Sequence, residues 1–148
     1  MAKEITVTGQ KKVMTLQKEF NEKYPFIRLN VFSLEMKENR TQGKTITSVD
    51  NTKTIAAVRT KVCPGSITIT GNKLVKTLER EFDDIFGLYV EISFTTKEGL
   101  RFYTRSDASG LVKGKDDTRK ARINGDDMTL AALNRLCEQD GCQEGVWN

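Results

Sequence analysis

The chain has no histidine among its 148 residues, only two prolines and one tryptophan, and no long run of apolar residues. Without histidine, Cys-His zinc sites and Ser-His-Asp or Cys-His catalytic groups are excluded. The three cysteines, Cys63, Cys137 and Cys142, lack C-x-x-C spacing, so we expect reduced thiols that pack as small apolar residues. No stretch approaches the roughly 20 apolar residues of a membrane span, and no signal-peptide core follows Met1. These absences favour a cytoplasmic protein that is not an enzyme and has no catalytic, cofactor or metal site.

One stretch of the sequence occurs twice. "ITVTGQKKVMTLQKEF" begins at Ile5 and "ITITGNKLVKTLEREF" begins at Ile67, and ten of the sixteen positions are identical. Further along, "TIAAV" at Thr54 matches "TLAAL" at Thr129, each after a polar turn that contains aspartate. Such internal similarity indicates a repeated structural unit. We therefore interpret the chain as a tandem duplication, with one repeat over residues 1–62 and the other over residues 63–148.

Each repeat predicts the same order of elements. Alternating apolar residues and threonines predict a half-buried strand, and apolar residues at spacings of three and four, beginning at Val13, predict an amphipathic helix. Pro25 in one repeat and Gly87 in the other end that helix. A second strand, a third strand (residues 45–49 in the first repeat) and a short alanine-containing helix complete a β-α-β-β-α unit.

The predicted fold is α+β, with the two units related by a pseudo-two-fold axis. A strand, a helix and a second strand in succession suggest a right-handed crossover with the two strands parallel, followed by a third strand that returns antiparallel. One unit of about 60 residues would be marginally stable alone. We therefore expect the two repeats to share one core within a single domain.

The repeats differ in the connection before the last helix, which is longer in the second repeat (residues 95–125). Residues 97–122 carry eight Lys or Arg and four Asp or Glu, a surplus equal to the formal charge of +4 of the whole chain. If residues 100–105 form a strand, alternate side chains share its solvent-facing side. The predicted contact residues of this basic hairpin are Arg101, Tyr103, Arg105, Lys113, Lys115, Arg119, Lys120 and Arg122.

Two interpretations of this hairpin stay open. Arginines beside a tyrosine, followed by a basic cluster, could hold phosphates and stack a base. The alternative is a solvated hairpin in which Asp116 and Asp117 offset the neighbouring lysines. The leading hypothesis is a binding or adaptor module that presents hairpin loops to a protein partner or to another copy of itself, away from membranes. Nucleic-acid or nucleotide binding is the alternative, and an enzyme of unknown class is the third.

A polar pattern also recurs in both repeats. At spacings of four, the same three residue types stand at Lys11, Thr15 and Glu19 and at Lys73, Thr77 and Glu81. Each set lies on one face of the predicted helix, beside the apolar stripe. Core packing does not require these residues, so either the duplication is recent or these faces meet each other or a common partner.

The repeated signature, "I-x-[VI]-T-G-x-x-x-V-x-T-L-x-x-E-F" with a later "D-x-x-T-[IL]-A-A-[VL]", resembles that of small uncharacterised bacterial proteins built from this unit in tandem. The resemblance covers most of the chain. The first repeat departs from the pattern at Pro25, which stands where the group has glycine. The resemblance implies a tandem β-α-β-β-α fold and implies no activity.

Overall fold

The computed structural model describes residues 4–42, 44, 46–95, 97, 99, 101–103 and 128–144 of the chain. The strands are β1 (Ile5–Val7), β2 (Arg28–Ser33), β3 (Ile67–Ile69), β4 (Leu88–Thr95) and β5 (Arg101–Tyr103). The helices are α1 (Val13–Lys23), α2 (Glu35–Thr41), α3 (Ile55–Val58), α4 (Val75–Glu81) and α5 (Leu130–Gln139), and a π-helical turn (Phe82–Phe86) continues α4. This mixture of helices and antiparallel strands confirms the predicted α+β class.

The strands form two small antiparallel sheets. In one, β1 pairs with β3 and places Thr6 opposite Thr68; in the other, the order is β2-β4-β5 and Asn30 lies opposite Glu91. The predicted parallel pairing of β1 with β2 is therefore wrong. Each of these strands pairs instead with the strand at the equivalent place in the other half. That pairing lets both halves bury their apolar residues together, which a separate pair of strands in each half would not do.

The predicted third strand of the first repeat is also wrong, because residues 46–49 form no strand. Helix α2 follows β2 instead, and its first turn carries Glu35 and Glu38, which favour a helix N-terminus. The later segment touches the sheet through one bond, from the Val49 amide to the Val31 carbonyl at 3.0 Å. The described order is thus β-α-β-α-α in the first half and β-α-β-β-α in the second, where β4 and β5 pair antiparallel as predicted.

Buried apolar residues of both halves belong to one cluster. Helix α1 contributes Val13, Leu16 and Phe20, and α4 with its π-helical turn contributes the matching Val75, Leu78 and Phe82. The helix stripes were predicted from spacing alone, and burial along both helices agrees with them. No helix within the described part of the chain has the length and apolar character that a bilayer crossing requires.

The two long helices end differently. Helix α1 ends at Lys23, two residues before Pro25. In the second half the π-helical turn ends at Gly87, whose φ of +60° lies in the left-handed region that favours glycine. A Cβ atom at Gly87 would lie 2.2 Å from Oγ1 of Thr60. The segment between the halves (residues 59–66, which connect α3 to β3) therefore packs directly on this turn.

Candidate binding surface

The turn before each long helix is held by the short helix of the same half. The amide of Ile55 donates to the carbonyl of Lys11 at 2.9 Å, and the amide of Leu130 donates to Lys73 at 3.0 Å. Ile55 and Leu130 are also fully buried in the core. The recurrence of "TIAAV" and "TLAAL" is therefore explained by structure, because these stretches attach α3 and α5 to the strand-to-helix turns.

Threonine caps both short helices. The hydroxyl oxygen of Thr54 accepts from the amide of Ala57 at 3.2 Å, and that of Thr129 accepts from Ala132 at the same distance. Such side-chain caps satisfy amides that the first turn of a helix leaves without a partner. The threonine that opens each of the two repeated stretches is thus explained by the backbone of its own helix.

The recurring polar pattern forms an ion pair in each half. The Lys11 ammonium pairs with the Glu19 carboxylate, and Lys73 pairs with Glu81 in the same way. The Lys73 ammonium also donates to the carbonyl of Thr68 at 2.6 Å. Each lysine lies in the loop before its helix, and its side chain extends along the helix to a glutamate in the second helical turn. The ion pair therefore links that loop to the helix. Recurrence of these lysines and glutamates is therefore explained within the fold, without a partner.

The face of the β2-β4 ladder that is turned away from the core carries polar residues that are buried. Side chains of Asn30, Glu91 and Ser93 are 7%, 0% and 0% exposed. The Asn30 amide donates to Oγ of Ser93 at 2.9 Å and to the backbone carbonyl of Glu91 at 3.1 Å. Full burial of a carboxylate is rare in proteins, because the charge must be compensated. Among the described residues that are polar and buried, Glu91 is the one with an ionisable side chain, so this face is a candidate functional site.

An aromatic pair continues this face toward its other end. The rings of Phe32 and Tyr89 lie opposite each other on the ladder, with centroids 5.7 Å apart. Beside Tyr89 is a shallow depression of about 210 Å³. Its lining mixes both charges: Lys37, Lys76, Glu79, Arg80, Asp83, Leu88 and Tyr89. Lys37 is 3.6 Å from the Asp83 carboxylate, so part of this charge is neutralised within the depression.

Two of the predicted contact residues extend the same ladder. The β4–β5 register pairs Tyr103 with Ser93 and Arg101 with Thr95. Paired positions of an antiparallel ladder belong to the same side of a sheet. The strand predicted over residues 100–105 is therefore present over Arg101–Tyr103, next to the buried polar group. Arg105 and the basic residues between Lys113 and Arg122 lie outside the described residues.

The framework holds both ends of the segment that carries the basic residues. On one side, β5 pairs with β4, and the amide of Gln143 donates to the carbonyl of Thr95 at 2.9 Å where β4 ends. On the other side, the amide of Val75 donates to the carbonyl of Met128 at 3.0 Å, and Met128 packs against the core. The described residues on both sides of residues 104–127, in β5 and at Met128, are therefore attached to the framework.

Sequence reasoning missed Asn30, Glu91 and Ser93. The available signal was the alternation in "RLNVFS" and "LYVEISFT", in which core residues alternate with residues that are polar except for Phe32 and Tyr89. That pattern normally predicts a solvated face, so burial of these residues could not be read from it. Among the described residues, no three cysteine, aspartate or glutamate side chains are grouped so that they could hold a metal ion. Comparisons with protein-family models, curated proteins and solved structures found no match to this chain.

Proposed function

We propose that the chain is a non-enzymatic cytoplasmic binding module, whose contact surface is the basic segment, residues 97–122, together with the polar side of the β2-β4-β5 sheet. The observation that carries this proposal is the anchoring of the segment at Thr95 and Met128 on the framework. A contact loop held at both ends loses less conformational entropy on binding than a free tail does.

Charge supports the same assignment. The surplus of four positive charges over residues 97–122 equals that of the whole chain, so the remaining residues sum to zero. Within the framework, Lys11 and Lys73 are engaged with Glu19 and Glu81. We infer that the partner presents an acidic surface, because complementary charge speeds encounter and selects the partner.

A tandem duplication accounts for the framework. One equivalent pair lies at the centre of each ladder: Thr6 faces Thr68, and Asn30 faces Glu91. On either side the pairing is reciprocal, with Ile5 opposite Ile69 and Val7 opposite Ile67, as a two-fold axis through the central pair would require. On this proposal the ancestral unit was a homodimer, and the longer connection was acquired by the second repeat after fusion.

The test is partner capture by the immobilised full-length chain from extract of the cells that express it. The test variant reverses four charges in the basic segment, at Lys113, Lys115, Arg119 and Lys120, each to Glu. The matched control makes the same change at four exposed lysines of the framework, Lys12, Lys18, Lys44 and Lys53. We expect a protein that wild type and the control retain and that the test variant loses. Equal retention by all three chains would contradict the proposal.

Nucleic-acid binding is the second candidate, and the ladder positions of Arg101 and Tyr103 beside Ser93 favour it. It predicts a mobility shift of single-stranded oligonucleotides that weakens steeply with salt, because phosphate contacts release counterions. The Arg101→Glu, Arg105→Glu double variant should abolish the shift. If no oligonucleotide shifts at low salt, this candidate is wrong and the acidic partner is a protein.

A further inference from the structure

The C-terminal end of α5 brings two buried cysteines together. Asp140 is the C-cap of the helix, and Gly141 follows with a φ of +78°. The amide of Gly141 donates to the carbonyl of Glu138 at 3.1 Å, and the amide of Cys142 donates to that of Cys137 at 3.0 Å. These two bonds define a Schellman motif, in which the residues at the positions of Cys137 and Cys142 commonly touch each other.

The thiols of Cys137 and Cys142 are close enough to react with each other. Bond lengths along the path through the amide-to-carbonyl bond place the two Cα atoms at most about 7 Å apart, at the upper limit of the separation that a disulfide bridges. The thiol of Cys142 forms a hydrogen bond with that of Cys137, and this bond, followed by burial, raises the pKa of the Cys137 thiol. Cys137 is fully buried, whereas Cys142 is 6% exposed. An external reagent would therefore meet Cys142 first.

We propose that Cys137 and Cys142 are a dithiol modification site, which small disulfide compounds convert to an intramolecular disulfide. The Cys142 thiolate attacks one sulfur of the reagent, the reagent's sulfur–sulfur bond breaks, and one thiol leaves. Once Cys142 carries the reagent group, its thiol no longer forms the hydrogen bond that raises the pKa of Cys137. The Cys137 sulfur then attacks the Cys142 sulfur, and the proton of the Cys137 thiol leaves with the second thiol. Two cysteine thiols are oxidised, and one reagent disulfide is reduced to two thiols.

The location gives this chemistry a structural consequence. The amide of Gln143, the residue after Cys142, donates a hydrogen bond to the carbonyl of Thr95 at the end of β4. A disulfide between Cys137 and Cys142 would fix the residues that make this hydrogen bond to the end of α5. The third cysteine, Cys63, is exposed and lies in the segment between the halves, so it supplies an internal contrast. With no neighbouring thiol to resolve it, Cys63 should stop at a mixed disulfide.

The test treats the folded Cys63→Ser chain with oxidised glutathione and measures the intact mass. We expect a product that is lighter by two hydrogen atoms, that carries no glutathione, and whose peptide map joins residues 137 and 142. The Cys63→Ser, Cys137→Ser chain should gain one glutathione on Cys142 instead. Accumulation of mixed disulfide on the Cys63→Ser chain would overturn the proposal. So would an unchanged mass under native conditions when the same chain reacts after unfolding.

Discussion

The two halves of the chain share their framework and differ in what connects it. Both have a strand, a turn clamped by a lysine–glutamate pair, a long helix with the same buried stripe and a threonine-capped short helix. In the first half, the connection before the short helix consists of α2 and a segment that hydrogen-bonds to β2 through Val49. In the second half, β5 and the basic segment occupy the same place in the sequence. Internal contacts therefore explain most of the residues that recur in both halves, and we look for a binding surface where the halves differ.

The comparison also shows how one helix end can differ without disturbing the core. Tyr24 and Phe86 occupy equivalent core positions, yet the first is followed by Pro25 and the second by Gly87. The π-helical turn before Gly87 is wider than an α-helical turn, and such turns are usually retained for a local reason. Here the carbonyl of Phe86 accepts from the Thr60 amide, so the turn docks the segment between the halves.

The largest expected effect tests whether the halves share one core. Leu16→Ala and Leu78→Ala remove matching, fully buried side chains from α1 and α4. Each should lower the free energy of unfolding by about 3 kcal/mol, because each leaves a cavity in the same cluster. Denaturant unfolding should stay a single transition in both variants. Two separate transitions, with only one shifted in each variant, would contradict a shared core.

Gly87→Ala should disrupt the helix end that only the second half possesses. The positive φ disfavours alanine, and the new methyl group would overlap Thr60. We expect a loss of roughly 2 kcal/mol in the free energy of unfolding. Gly9→Ala is the control, because its methyl group would meet the end of the flexible Arg59 side chain at 3.2 Å and the Ala56 Cβ atom at 3.4 Å, and no backbone atom as close. Equal losses of unfolding free energy in the two variants would show that the positive φ of Gly87 and its contact with Thr60 do not contribute to stability.

Tyr24→Phe converts a residue of the first half into its counterpart from the second. Burial raises the pKa of Tyr24 to about 12 from 10.0. The unfolded chain loses the phenol proton first, so stability falls as the pH rises from about 10 to about 12, by up to roughly 2 kcal/mol. Denaturant midpoints at about pH 9 and about pH 11 measure this fall. The variant should lose less stability over that interval than wild type, and an identical fall would contradict the assignment to Tyr24.

The smallest expected effect concerns the two ion-pair clamps. Double-mutant cycles of Lys11→Met with Glu19→Gln, and of Lys73→Met with Glu81→Gln, isolate the coupling within each pair. Each pair is partly exposed, so a coupling of roughly 0.5 kcal/mol is expected. High salt should reduce both values. A coupling in one half and none in the other would show that the clamps are not equivalent.

Some of this structure was predictable from the sequence, because it depends on local periodicity. The stripe that begins at Val13 marked the buried face of α1, and the alternation near Phe102 marked β5. Strand pairing was not predictable, because β1 could have paired within its own half, and the choice is made by the shared core. Glu91 was missed because alternation does not reveal burial on the second face. The recurrence of Thr15 and Thr77 has no explanation in the described contacts.

The most direct test of the proposed contact surface replaces residues 104–127 with a short Gly-Ser linker and measures the affinity for the partner identified by capture. We expect a loss of at least about 100-fold in affinity, which corresponds to roughly 2.7 kcal/mol. Denaturant unfolding should confirm that the framework of the variant remains folded as one unit. Unchanged affinity in a folded variant would contradict the proposed binding function of the basic segment, because it would place the contact surface on the framework that both halves share.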